Sequence, residues 1–461
     1  MSDFEDEFGF TEADWQACLK VLTQLKEDPL ANPENEIFAG LVGKIVKQAK
    51  KNRRKTSYQE KKRADWEIIK QSTITDNALK GVTTFSCGTP DSTPTFAPIQ
   101  LPKNCYSCNQ SYDRVHSFYA RLCPECAELN YRNRFRSIDL QGRNVIITGG
   151  RVKIGYATAL KFLRSNANVI ITSRFPATAL VQFENEPDYS EWKHRLTVYG
   201  LDLRSLPQVQ MFIEYYHSHH NSIEVLINNA AQTISYDAEY YLPLINQERK
   251  LLVDRSVGPN LIANQIDVAA DPALLSLPTD VESSTRAWTV NRFGQPVDQR
   301  SKTSWNSTLC EVDLTELLEA NLINQLSPYV LIKEFTQLFE QSAFDKKFII
   351  NVTSSEGQFS YTNKTDFHPH TNMTKASLNM LTNTSAKEYL GYGVYMNAVD
   401  VGWVSTGANE MLRQQQFARG YIPPLDPVDG AARIMVPIID ELEESLGVVG
   451  KLLKNYRVQP W

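Results

Sequence analysis

Four short apolar runs constrain this chain most: NVIITG from Asn144, NVIITSR from Asn168, EVLINNAA from Glu224 and FIINVTSS from Phe348, each separated from the next by stretches of helical periodicity. Runs rich in Val and Ile with no polar alternation need cover on both faces, and a parallel sheet between two helical layers supplies it. The expected fold class is therefore α/β, a doubly wound parallel sheet, over residues 137–461. At 461 residues the chain is also too long for one ordinary core, so further units should precede that sheet.

The preceding residues have a different texture. In FTEADWQACLKVLTQL, Trp15, Leu19, Leu22 and Leu25 recur at helical spacing behind a cap at Thr11. A second helical stretch follows, with Lys44, Lys47, Lys50 and Lys51 beside Leu41, Ile45 and Val46, and a solvated charged face is the expected reading of those lysines. Residues 1–80 are thus expected to form a helical arm and the Gly-, Pro-, Ser- and Thr-rich residues 81–102 a linker. The net charge of −5 makes nucleic acid an unlikely partner despite the basic arm. No apolar run is long enough to cross a bilayer and the acidic start lacks a signal peptide's pattern, so no membrane association and a cytoplasmic location are expected.

Of the seven cysteines, Cys105, Cys108, Cys123 and Cys126 form two CxxC pairs. Two such knuckles can deliver four thiolates to one tetrahedral ion, so residues 103–136 are read as a zinc module. Four sulfur ligands leave no open position, which makes the zinc structural. His116 lies between the pairs and is expected to be a packed or a surface histidine that does not bind the metal. The module could dock on the α/β domain, or bind a protein or a nucleic acid, and the sequence leaves all three open.

GRNVIITGGRVKIGYATALKFL carries a strand into a Gly-rich turn and then a helix. Such a turn lets backbone amides reach a pyrophosphate at a helix N-terminus. Thr148, Gly149, Arg151, Lys153, Ile154 and Gly155 are the candidate phosphate-binding residues. The next strand ends at Arg174, where an acidic residue would hold a ribose 2′-hydroxyl in an NAD enzyme. A guanidinium suits a 2′-phosphate, so NADP(H) is expected ahead of NAD.

This ordered series resembles the short-chain dehydrogenase/reductase superfamily, whose turn reads TGxxxGxG and whose fold is Rossmann-type. Lys153 stands where the middle glycine of that turn is expected. The resemblance implies that Asp202 contacts the adenine, that Asn229 and Ala230 match the family's NNAG strand end, and that Gly402 and Thr406 belong to the loop beside the nicotinamide. It further implies a catalytic Ser354, a Lys375 on the ribose and Asn321 in a proton relay. The position of the family's catalytic tyrosine, four residues before Lys375, is Thr371. An aliphatic hydroxyl is far less acidic than a phenol, so Thr371 alone cannot be the general acid. Tyr361 on the preceding loop, and His368 or His370 flanking Pro369, are the substitutes in reach. The chain is similar to an atypical subgroup that has an N-terminal four-cysteine module and no Tyr in the YxxxK position.

The stretch between Asn229 and Asn321 is long for such a domain, and an insertion is expected at about 235–308. It would leave the C-terminal edge of the sheet, as a substrate lid or a protein-binding surface, with Tyr236, Tyr240 and Tyr241 burying part of it and the residues around ADPALLSLPTDVESST mobile. The function expected from these features is NADP(H)-dependent oxidation or reduction of a small carbonyl or alcohol substrate with a non-standard proton donor. The alternative is an inactive NADP(H)-binding sensor or adaptor. A homodimer through the helices bearing Asn321 and Lys375 is implied by the resemblance alone.

Overall fold

The computed structural model describes residues 9–27, 36–82, 85, 93–236, 238–254, 260–263, 290, 295–298, 300, 302–360, 364–404 and 410–461. The chain divides into two compact units, Met1–Glu67 and Ile68–Trp461. In the first, α1 (Glu12–Leu25) starts at a capping box in which the Thr11 hydroxyl accepts from the Asp14 amide at 3.2 Å. The long α2 (Glu36–Ile69) carries its basic residues from Lys44 to Arg63 exposed, the solvated face expected of them.

The second unit takes in the last two residues of α2, Ile68 and Ile69, and then α3 (Thr73–Lys80), expected in the arm. Its first amides, Thr73 and Ile74, donate to the carbonyls of Ser117 and Phe118 at 3.0 and 3.1 Å, which ties it to the cysteine-bearing segment instead. Residues 96–102 of the expected linker belong to a strand: β1 (Phe96–Asn104) pairs antiparallel with β2 (Ser111–His116). The register shifts between Pro98 and Lys103, a place where the strand tolerates Pro98 and Pro102 without their N–H groups. Helix α4 (Pro124–Phe135) then starts within the second cysteine pair.

The main sheet follows in βα alternation: β3 (Asn144–Ile147), α5 (Lys153–Arg164), β4 (Asn168–Ser173), α6 (Pro176–Glu184), α7 (Tyr189–Trp192), β5 (Leu196–Gly200), α8 (Leu206–His219) and β6 (Val225–Asn228). The inserted residues give α9 (Ala238–Asp254) and the short β7 (Leu261–Ile262). After them come α10 (Leu314–Asn321), a π-helical turn (Leu322–Leu326), α11 (Ser327–Glu334), α12 (Thr336–Glu340), β8 (Lys347–Thr353), α13 (Pro369–Leu390), β9 (Val394–Asp400), α14 (Glu410–Ala418), α15 (Pro427–Glu444), β10 (Leu452–Lys454) and β11 (Arg457–Gln459).

Among the described residues this sheet has nine strands in the order β11-β10-β9-β8-β6-β3-β4-β5-β7, all parallel except β11. Successive residues feed opposite cores: Val145 and Ile147 pack with Leu160, Ile434 and Ile438 on one face, while Ile146 packs with Phe212, Leu331 and Phe335 on the other. That is why the four runs show no polar alternation. The winding direction reverses between β3 and β6, so the crevice at their C-terminal ends is the topological switch point where doubly wound sheets bind ligands.

The cysteine-bearing segment docks on α15. Arg134 reaches Asp426 at 2.7 and 2.8 Å and Asp429 at 3.0 Å, and the Tyr119 hydroxyl donates to Asp429 at 2.6 Å. Among the described residues no helix is long and apolar enough to cross a membrane.

Candidate functional site

At the switch point the chain turns from β3 into α5 through Thr148 to Val152. A Cβ on Gly155 would lie 2.1 Å from the Gly149 carbonyl oxygen and 2.5 Å from the Asn229 amide nitrogen, so only glycine fits. Asn229 donates to the carbonyls of Thr148 and Gly149 at 3.0 and 3.2 Å, and the Ala230 amide donates to the Thr148 hydroxyl at 3.0 Å. Asn229 and Ala230 therefore fasten the turn to the end of β6. The Val152 side chain makes no cap at the start of α5, and Val152, Lys153, Ile154 and Gly155 line the cavity there. Lys153 adopts φ +51°, the left-handed conformation a glycine would take without cost.

A cavity of about 410 Å³ opens at this turn, lined among others by Arg151, Lys153, Arg174, Asp202, Tyr240 and Tyr241. Burial first, and then neighbouring Arg174, press the Arg151 guanidinium down to about 10. Against the pull of burial, Tyr241 and Asp202 hold Arg174 above its usual value. The Arg174 guanidinium sits 4.6 Å from the Tyr241 ring centre, in cation–π range. Asp202 lines the same cavity with its carboxylate engaged by Arg204 at 2.6 Å, which keeps it ionised despite burial.

The insertion supplies this wall. Tyr236 stacks on Tyr240 at 3.7 Å between ring centres. Glu248 of α9 accepts from the amides of Ala177 and Thr178 at 2.6 and 2.8 Å, filling the open N-terminus of α6. The helix is thus fixed beside β4. The segment from Ala270 to Thr285, expected to be mobile, lies outside the described residues.

Beyond the switch point, Ser354 follows β8, and the turn after it is locked to α13. A Cβ on Gly357 would meet the Lys375 carbonyl carbon at 2.7 Å, and Asn379 donates to the Gly357 carbonyl at 3.0 Å. Lys375 is buried and donates to the Val352 carbonyl at 2.7 Å. Desolvation brings its ammonium down to about 8, with Glu356 and Asp400 pulling the other way. Gly402, at φ +78°, follows β9, and its amide donates to Asp400 at 2.8 Å.

Among the residues expected at the reacting end, the structure separates the candidates. Tyr361 and Thr406 lie outside the described residues. Asn321 donates back to the Leu317 carbonyl of its own helix at 2.7 Å. The residue turned inward is Asn324, which donates to Thr374 at 3.1 Å and to the Gln232 carbonyl at 3.0 Å and accepts from the Gln232 amide. Asn321, the position the resemblance implies, immediately precedes the π-helical turn, and Asn324 lies within it.

His370 is buried and pairs through Nε2 with Glu316 at 3.1 Å. His368 caps α13 in a left-handed conformation, φ +44°, and its Nδ1 lies 3.1 Å from the Thr371 hydroxyl. That hydroxyl also donates to the His368 carbonyl at 2.9 Å. Trp305, from the far end of the insertion, stacks on the imidazole at 4.3 Å, and the His368 amide donates to the Ser307 carbonyl. Burial lowers the His368 pKa. Trp305 and Glu316 were not foreseen, because nothing in their local pattern marks a contact made across the fold.

The four cysteine sulfurs lie within 4.8 Å of one another, with Cys108 and Cys123 at 3.7 Å. A tetrahedron with 2.3 Å metal–sulfur bonds has edges of about 3.8 Å, so the donor set and its spacing fit zinc. His116 stays apart: its Nδ1 accepts from the amides of Phe118 and Tyr119 at 2.9 and 3.3 Å, and burial takes its pKa down to about 4.

Two family models match the chain, short chain dehydrogenase over residues 143–244 and Enoyl-(Acyl carrier protein) reductase over residues 300–429. The gap between them falls on the insertion. A protein of Acanthamoeba polyphaga mimivirus, described as uncharacterized, is 32% identical over 351 residues, 72% of this chain and 71% of its own length. Similar solved structures include a putative NAD(P) dependent gluconate 5-dehydrogenase from Beutenbergia cavernae with bound NADP, at 18% identity over 69% of this chain and 96% of that one, TM-score 0.44. Another is the Pseudomonas aeruginosa RhlG/NADP active-site complex, at 17% identity over 68% of this chain and 95% of that one, TM-score 0.44.

Proposed function

This chain belongs to the short-chain dehydrogenase superfamily, and from that premise we propose that it is an NADP(H)-dependent oxidoreductase interconverting a small carbonyl compound and its alcohol. The observation that carries the cofactor choice is the pair Arg151 and Arg174, two guanidiniums brought into one cavity at the end of β4, where an anion relieves their repulsion. The dinucleotide supplies hydride to the substrate carbon when bound. Lys153 and the start of α5 meet its phosphates, Asp202 its adenine and Lys375 its ribose.

The residues at the reacting end then divide the remaining work. Ser354 orients the substrate oxygen. The Thr371 hydroxyl passes a proton to that oxygen and recovers one from the His368 imidazolium, and in oxidation the neutral imidazole accepts it. His370, held by Glu316, and Asn324, held by Gln232, position the start of α13 and the chain below it. Zinc on Cys105, Cys108, Cys123 and Cys126 is structural. Leu318, Tyr329, Met373 and Met380, all exposed on α10, α11 and α13, support pairing of two chains through those helices.

A second reading, an adaptor that binds NADP(H) without turnover, is favoured by the engagement of Thr371 with its own helix. The test is NADPH oxidation across a panel of aldehydes and ketones, with Ser354→Ala as control. Turnover lost in that variant supports the enzyme. NADPH bound tightly but never oxidised across the panel leaves the adaptor.

A further inference from the structure

The four-cysteine module touches the sheet in a second place besides α15, and that place borders the candidate site. Tyr106 stands inside the first knuckle, between Cys105 and Cys108, and its hydroxyl accepts a hydrogen bond from the Trp403 amide at 2.7 Å. A Cβ on neighbouring Gly402 would lie 3.3 Å from that hydroxyl, so the contact also depends on the glycine. Arg121, two residues before Cys123 of the other knuckle, donates to the Ile422 carbonyl at 2.9 Å. Its guanidinium lies over both Trp403 and Tyr421, at 4.9 and 5.5 Å, and those two rings meet at 4.7 Å.

The two knuckles therefore hold two points on the chain, Trp403 just after β9 and Tyr421–Ile422 just before α15. β9 is paired in register with β8, Asp400 opposite Thr353, so the chain leaves the sheet beside Ser354. Asp400 is also among the charges felt by buried Lys375. This is the C-terminal edge of the strands on the side of the switch point away from Arg151 and Arg174, where the half of a dinucleotide beyond its pyrophosphate must lie.

We propose that the metal-bound module is a positioning device for Trp403 and for Tyr421–Ile422, setting the affinity for the nicotinamide half of the cofactor and leaving the adenosine half untouched. The bound ion would fix the backbone of each knuckle, the knuckles fix Tyr106 and Arg121, and these fix Trp403 and Tyr421–Ile422. The proposal rests on the NADP(H) reading above.

The test uses the full-length zinc-loaded chain and two probes, NADPH and adenosine 2′,5′-bisphosphate, the latter carrying only the adenosine end. Tyr106→Phe removes a hydrogen-bond acceptor and Arg121→Lys removes the fork and its stacking, while both leave the four thiolates in place. Loss of one neutral hydrogen bond corresponds to roughly two- to tenfold, so each variant should bind NADPH several-fold more weakly and the bisphosphate as the wild type does. Zinc content should be unchanged and tryptic cleavage at Arg413 or Arg419 faster. Wild-type NADPH affinity in both variants overturns the proposal, as does an equal loss for both probes. Wild type binding neither probe removes the NADP(H) reading itself, and the proposal with it.

Discussion

Thr371 and His368 face each other across the first turn of α13, with the threonine hydroxyl 3.1 Å from the imidazole Nδ1 and 2.9 Å from the carbonyl of the same histidine. The position that would hold a phenol holds instead a small hydroxyl backed by a titratable ring. Because burial lowers the His368 pKa below its ordinary value near 6.5, the imidazole is mostly neutral at pH 7. Carbonyl reduction, which needs the imidazolium, should rise as pH falls through that lowered pKa. Alcohol oxidation, which needs the neutral ring, should rise with pH and level off above it. His368→Ala should lower both rates about 100-fold or more and flatten both pH profiles in this range, read from kcat against pH. Profiles unchanged in the variant would remove His368 from the proton path.

Lys153 holds a left-handed backbone that costs a side-chain-bearing residue about 1–2 kcal/mol. Lys153→Gly should therefore unfold later in denaturant, by about 1 kcal/mol, while binding NADPH more weakly because a cation at the phosphates is gone. The opposite movement of stability and affinity is the signature. A variant that loses both would show that the lysine side chain packs and does not serve the phosphates.

The cysteine spacing predicts one zinc per chain by metal analysis. Cys123→Ser should release it, since three thiolates and a hydroxyl hold the ion far less tightly. Separately, Arg134→Met leaves Asp426 and buried Asp429 without their cation and should cost about 3–5 kcal/mol in stability while the zinc stays bound. Zinc lost in Arg134→Met as readily as in Cys123→Ser would mean that module and sheet fold only together.

How much of this could be read from the residues follows from how local each signal is. Asn144–Ile147, Asn168–Ser173 and Val225–Asn228 announce themselves as buried parallel strands because both faces of each must be apolar. The Gly149 to Gly155 turn and the two CxxC pairs are equally legible, since their chemistry is fixed within a few residues. Asn324 lies in a π-helical turn that no local pattern announces, and the strand Phe96–Asn104 was hidden by prolines that imitate a linker. Glu248, Trp305 and Glu316 act on residues 71, 63 and 54 positions away, at Ala177, His368 and His370, and no periodicity reports such a contact. The tyrosines of the insertion were expected to bury part of it, and Tyr240 and Tyr241 also wall the cavity at Arg174.

The central claim is that this cavity is built for a 2′-phosphate, and parallel titrations of NADPH and NADH measure it most directly. Charge-assisted hydrogen bonds to a phosphate amount to about 1.5–3 kcal/mol, so NADPH should bind roughly ten- to hundredfold more tightly than NADH, and Arg174→Ala should erase most of that difference while leaving NADH affinity nearly unchanged. Equal affinity for the two cofactors in the wild type, or a preference that survives Arg174→Ala intact, would contradict it.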